Sequence, residues 1–211
     1  MMAQAGMLAL TFDNGPEPDV TPRVLDVLAA REIKATFFVV GAKLARHREL
    51  AERAHEEGHW IGNHTYTHSA PFGEQDAATA RAEIERTQAL LGDLAHPDRL
   101  FRPTGAGGHL DRRLFSRAAL ETLTAGAYSV VLWDRLPRDW EEPQGWVERA
   151  LAQDGDVLVL HDLPTGAMDR LDEFLDRAQA AGVTFAQELG ACTVIRRGVP
   201  QRPLDGLVND P

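Results

Sequence analysis

Several features that would settle a function class at once are missing from this chain. It has a single cysteine, Cys192, in 211 residues, which excludes a disulfide framework and a cysteine-rich zinc site. Any metal must therefore be held by His, carboxylate or amide groups. Cys192 has no histidine near it in sequence and reads as a small buried apolar side chain rather than a nucleophile. Basic residues are outnumbered, 22 Lys and Arg against 32 Asp and Glu, for a net charge of −10. That balance argues against nucleic acid and anionic membrane surfaces as partners, because both need basic patches. No apolar run is long enough to span a bilayer. Residues 1–6 carry no basic residue and run straight into a strand pattern, so no secretory leader is read and a cytoplasmic location is expected. There is no GxGxxG dinucleotide loop, no GxxxxGK(S/T) phosphate loop, no internal repeat and no low-complexity segment.

What is present is ordinary globular material, 44% apolar and 26% charged, in a length that suits one domain. Short apolar runs alternate with amphipathic ones. Strands are expected at residues 7–12, 35–40, 59–62, 99–102, 128–133, 156–160 and 183–185, with a weaker candidate at 192–195. Helices are expected between them: one capped by Thr21 with Pro22 at its first position, then 44–57 closed by Gly58, 76–94, 111–123, 143–153 and 168–181. Strand–helix alternation with short connections gives an α/β class with a parallel sheet. About seven βα units make it a distorted (β/α) barrel, with a doubly wound open sheet as the alternative. The domain is read as residues 1–195, followed by a tail at 196–211 that wraps the surface or frays.

Chemically loaded residues fall where these strands end. Asp13 and Asn14 follow the first, His64 and His68 the third, Arg102 the fourth, Asp139 and Trp140 come shortly after the fifth, and His161 closes the sixth. In a parallel barrel the C-terminal strand ends open onto one face, where active sites form. His64 and His68, at i and i+4, point the same way over one helical turn and can grip one cation. His55 and His59 share that spacing but straddle Gly58, and are read as surface residues. Asn14-Gly15-Pro16 is good turn chemistry, yet a turn does not require Asp13, and a carboxylate there can take a proton from water. His161 is either a satisfied core histidine or the acid that protonates a leaving amine. In the second role its other ring nitrogen needs a partner, with Asp139 and Asp134 as candidates. Arg102 is either an ordinary surface arginine or a fixed cation that orients a carboxylate, and N–H groups of the following loop, with Thr104 and Gly105, could face an oxyanion.

Together these residues resemble the polysaccharide deacetylase family, carbohydrate esterase family 4, with its NodB-homology domain. Its TFDDGP motif stands here as TFDNGP at 11–16, its H-(S/T)-x-x-H as HTYTH at 64–68, its Arg-Pro loop as RPTG at 102–105, its Asp-Trp pair with a following proline as DWEEP at 139–143, and its L-x-L-H as LVLH at 158–161. All five come in the family's order. The resemblance implies a distorted (β/α) barrel and metal-dependent removal of acetyl from an N-acetylated sugar. By it, Asp13 is the general base, Asn14, His64 and His68 hold the metal, and His161 is the general acid. Asp139 assists through Arg102 or His161, Leu160 lines the acetyl methyl pocket, and Trp140, Thr104 and Gly105 line the substrate groove. Zinc is the default for two His and one oxygen ligand, with cobalt, nickel and manganese open.

Two departures bear on function. Asn14 replaces the family's second Asp, which removes a formal charge from the ligand set and lowers metal affinity. A branch of the family that resembles the muramic acid deacetylases also writes TFDNG. The Arg-Pro loop lacks the usual Pro-Tyr, which takes a tyrosine wall from the sugar groove and favours a smaller or differently shaped substrate. The alternatives are a deacylase of a small cytosolic amide and a non-catalytic sugar-binding homologue with an impaired metal site.

Overall fold

The computed structural model describes residues 6–209. Its strands are β1 (Met7–Asp13), β2 (Thr36–Val39), β3 (Trp60–Asn63), β4 (Leu100–Phe101), β5 (Phe115–Ser116), β6 (Ser129–Val131), β7 (Val157–His161), β8 (Thr184–Phe185), β9 (Thr193–Arg196), β10 (Val199–Pro200) and β11 (Val208–Asn209). Its helices are α1 (Thr21–Ala30), α2 (Gly41–Leu44), α3 (Arg48–Glu56), α4 (Ala77–Leu91), α5 (Arg117–Ala125), α6 (Trp146–Ala152) and α7 (Leu171–Ala180). The main sheet runs β10-β9-β6-β4-β3-β2-β1-β7, with β8 beside the start of β1. From β6 through to β7 every pairing is parallel, as is β1 with β8, while β9 and β10 are antiparallel additions. The sheet curls until chain beyond β6 meets the far edge: Arg135 N donates to Val157 O at 3.1 Å and Val159 N donates to Arg135 O at 3.0 Å. The α/β distorted barrel expected from the sequence is the observed architecture.

Strand alternation sorts the side chains into layers. Leu8, Leu10 and Phe12 of β1, with Leu158 and Leu160 of β7, face the helices and join the cluster that includes Leu25, Trp146 and Phe174. Ala9, Val131 and Val157 fill the barrel interior with Phe38, Leu100 and Cys192. Thr11 and Asp13 continue the inner face of β1, and Val159 and His161 that of β7. Cys192 is buried, and its thiol is pushed up to about 12, chiefly by burial and then by Asp134.

Four local expectations are corrected. Helix α5 begins at Arg117, not near residue 111, because Phe115–Ser116 is drawn into a two-stranded pairing with β11. Thr21 is the first helical residue rather than the cap, and its hydroxyl accepts from Glu17 N and donates to Asp162. The helix expected over 44–57 is broken between α2 and α3. His59 is 2% exposed rather than on the surface: its Nδ1 accepts from Ala35 N at 3.0 Å and its ring packs edge-on against Phe37. Among the described residues no helix is long and apolar enough to cross a membrane.

Candidate active site

A cavity of about 260 Å³ lies at the C-terminal ends of the strands, lined in part by Asp13, Asn14, His64, His68, Trp140 and His161. Asp13 ends β1 and is buried. Its Oδ1 accepts from Arg102 at 2.8 Å, and its Oδ2 lies 3.6 Å from His64 Nε2. Arg102 is fully enclosed: it also donates to Thr11 Oγ1 at 2.6 Å, to Val131 O at 3.2 Å and to Leu132 O at 3.0 Å, and stacks over Phe38. The arginine thus orients a carboxylate of its own chain and does not reach the cavity surface. Burial works against ionisation of Asp13, but Arg102, His64 and His161 outweigh it and hold the carboxyl below its ordinary range.

His161 closes β7. Asp139 accepts from it twice, from the backbone N and from the ring Nδ1, each at 2.9 Å. Burial pushes the imidazole down, yet the Asp139 hydrogen bond and charge, with Asp13 and Asp162 behind them, leave its pKa raised. Asp139 therefore acts through His161. Asp134, the other candidate, accepts instead from Asp156 N and Val157 N. Trp140 packs edge-on against His161, ring centroids 4.5 Å apart.

His64 and His68 converge, their rings 4.7 Å apart, but not on a helical turn. The segment between them is irregular, with Thr65 and His68 at φ 65° and 55°. Glu83 of α4 makes that shape possible: it accepts from Tyr66 N at 3.0 Å, Thr67 N at 2.8 Å and Thr67 Oγ1 at 2.8 Å. Asn63 adds a bond from Thr65 N at 3.0 Å, and Thr65 Oγ1 accepts from His68 N at 3.1 Å. Sequence reasoning passed over Glu83; its signal was a carboxylate on the inward stripe of α4 beside Ile84.

These residues fit a divalent cation. His64 Nδ1 is engaged by Arg102 O at 2.8 Å, which leaves Nε2 as the free nitrogen. Burial lowers the pKa of both imidazoles, His68 to about 3, so each presents a neutral lone pair. Asn14 Oδ1 is buried without a hydrogen-bond partner. Among the described residues, His, Cys, Asp and Glu alone form no group of three able to hold a metal ion; Asn14, outside that set, adds an amide oxygen to the same cavity lining.

The remaining sequence candidates divide. Gly105 and Trp140 line the cavity, joined by Trp133, Leu136, Val159 and Leu163. Thr104 is buried, its hydroxyl 3.4 Å from that of Thr65, and does not line it. Leu160 is a correction: it packs in the core beneath the helices, because the two-residue period of β7 turns Val159, not Leu160, to the side of His161.

Comparison with known proteins shows the family. Residues 2–124 match the family model described as polysaccharide deacetylase. The chain belongs to the polysaccharide deacetylase family. It is 34% identical over 170 residues to a peptidoglycan-N-acetylglucosamine deacetylase of Bacillus cereus, covering 78% of this chain and 75% of that one. It is 34% identical over 200 residues to a chitooligosaccharide deacetylase of Sinorhizobium fredii, covering 91% and 89%. Among solved structures it superposes on a peptidoglycan N-acetylglucosamine deacetylase in complex with 4-naphthalen-1-yl-N-oxidanyl-benzamide, with a TM-score of 0.71, 29% identity and coverage of 88% and 87%.

Proposed function

We propose that this polysaccharide deacetylase family member is a metal-dependent N-deacetylase that hydrolyses the acetyl–amide bond of N-acetylated sugars. The chain is a hydrolase of carbon–nitrogen bonds. The carbohydrate substrate is supported by the sugar deacetylases to which it is similar. The observation that carries the reading is a pair of buried groups facing one cavity, each held by a partner of opposite charge. Arg102 favours the ionised form of Asp13, and Asp139 favours the protonated form of His161. A base and an acid whose environments push their pKa values apart are what amide hydrolysis needs.

Asp13 takes the proton from water as it attacks the acetyl carbonyl. His161 delivers a proton to the nitrogen as the C–N bond breaks, and acetate and a free amine leave. Arg102 holds Asp13 in charge and in place, and Asp139 fixes the His161 tautomer with its proton-bearing Nε2 toward the cavity. His64, His68 and Asn14 would hold a divalent cation, zinc by donor set, with cobalt, nickel or manganese compatible. Such an ion, when bound, supplies Lewis acidity to water and carbonyl alike.

The test is acetate release from N-acetylglucosamine oligomers by zinc-supplied protein, with Asp13→Ala and His161→Ala alongside. Each substitution should lower kcat by roughly 10²–10⁴-fold. A variant of either residue turning over like wild type would overturn the assignment.

A further inference from the structure

One buried carboxyl neither gives nor takes a proton in the chemistry above. Asp162 directly follows His161 and is fully buried. His161 faces the barrel interior, so the alternation of β7 turns Asp162 to the helix side, among Phe12, Phe37, Leu50 and Ala54. It stands behind the catalytic cavity rather than in its lining. Its Oδ1 has no hydrogen-bond partner. Burial pushes its pKa up to about 7, against the Thr21 hydrogen bond, Lys43 and His161. A buried oxygen without a partner costs free energy, and packing alone is better served there by an apolar side chain.

What Asp162 does touch is the turn that carries Asn14. Strands β1 and β7 are in register at Asp13 and His161, so Asn14-Gly15 and Asp162 leave the sheet side by side. Gly15 lies directly on the carboxyl: a Cβ there would fall 2.2 Å from Oδ2 and 2.4 Å from Oδ1, an approach that glycine alone admits. Thr21 Oγ1 accepts from Glu17 N at 2.8 Å and donates its own proton to Asp162 Oδ2. The carboxyl thus holds the turn at two points, Gly15 by contact and Glu17 through Thr21. On the other side, Gly15 O accepts from Val40 N at 2.9 Å. The turn needs this support. Asn14 stands at φ 76°, a left-handed conformation that persists in a non-glycine residue only where its surroundings over-determine it.

We infer that Asp162 is a positioning residue: its carboxyl, packed against Gly15 and bonded by Thr21, fixes where the Asn14 amide stands and thereby how strongly the site holds a divalent cation. The inference rests on the metal-site reading above and adds to it the residue that seats the amide ligand. Asn14 Oδ1 has no hydrogen-bond partner of its own, so the backbone of the turn determines its place. An amide also lacks the formal charge with which a carboxylate attracts a cation from a poorer position. Its contribution therefore depends on being held in place by groups behind it. The role asks of residue 162 a shape and one acceptor for Thr21, both of which asparagine keeps and alanine loses.

The experiment is a double-mutant cycle read in zinc affinity, by competition with a chromophoric chelator, for wild type, Asp162→Ala, Asn14→Ala and the double variant. Asp162→Ala should weaken zinc binding by roughly 10–100-fold in the wild-type background and cause no further loss once Asn14 is alanine. Asp162→Asn should retain the wild-type affinity. Should Asp162→Ala fail to fold, Gly15→Ala presses on the same contact from the side of the turn and goes through the same cycle. An equal loss in both backgrounds would show that Asp162 supports the fold at large and not the Asn14 amide. An affinity unchanged by Asp162→Ala would likewise overturn the inference, with the metal-site reading left standing. No zinc bound by wild type would remove both.

Discussion

Asp13 and His161 are each buried beside a partner of opposite charge, Arg102 and Asp139, and the opposite pKa shifts that follow predict a pH profile. The active form has Asp13 ionised and His161 protonated. Activity therefore rises as pH passes upward through the lowered Asp13 pKa and falls as it passes upward through the raised His161 pKa. The alkaline limb should lie above the ordinary imidazole value of about 6.5. Asp139→Asn removes the charge that holds the proton on His161, so that limb should move down by about one to two pH units, with kcat reduced. A pH–rate profile of the variant with an unmoved alkaline limb would deny Asp139 its role. Arg102→Met should behave differently: it strands a buried carboxylate, and urea unfolding should show a loss of about 3–5 kcal/mol in addition to lost activity. At this scale the sequence was legible where chemistry is conspicuous. Asp13, Asn14, His64, His68 and His161 all face the cavity as their motifs imply. It was opaque where a role depends on one step of strand register, as with Leu160 and Val159, or on contact with a distant element, as with Glu83.

The turn from His64 to His68 owes its shape to α4, a helix whose inward stripe carries a carboxylate among Ala80, Ile84 and Thr87. Glu83 is 7% exposed and spends its oxygens on the turn's N–H and hydroxyl groups. Without it, two left-handed residues, Thr65 and His68, would have to hold their conformations unaided, which costs on the order of 1–3 kcal/mol each. Glu83→Ala should therefore weaken zinc binding by roughly 10–100-fold, as loss of a supporting partner behind metal ligands does. Calorimetric titration with zinc reads this directly, and an affinity equal to wild type would show that the turn holds its shape without α4. The i, i+4 spacing of the histidines was legible, but its helical explanation was not the operative one. Helix α5 teaches the same lesson. Its amphipathic stripe was visible, while its start was displaced because residues 115–116 pair with 208–209, and no local pattern records a partner so far along the chain.

The whole barrel was readable from strand–helix alternation because parallel strands need crossovers, and crossovers leave long periodic segments. The antiparallel direction of β9 and the closure at Arg135 were not, since both are settled by how the sheet curls. Closing the barrel also buries groups that resist acid. His59 sits under the start of β2 with its side chain fully enclosed, Nε2 4.0 Å from Glu57. Its pKa is held down to about 4, first by burial and then by Lys34, with Glu57 opposing. The unfolded chain takes up this proton near pH 6.5, whereas the folded chain resists until about 4. The contribution to stability is therefore complete above pH 6.5 and is lost as pH falls from there to about 4, an effect of about 3 kcal/mol. His68, held down to about 3, adds loss of the same sign over the same fall in pH. His59→Asn keeps an acceptor for Ala35 N but cannot take up the proton. In urea unfolding at a series of pH values, the variant should begin less stable than wild type at pH 8 and lose about 3 kcal/mol less on the way to pH 4. Parallel curves for the two proteins would mean that His59 takes no part in the barrel's response to pH.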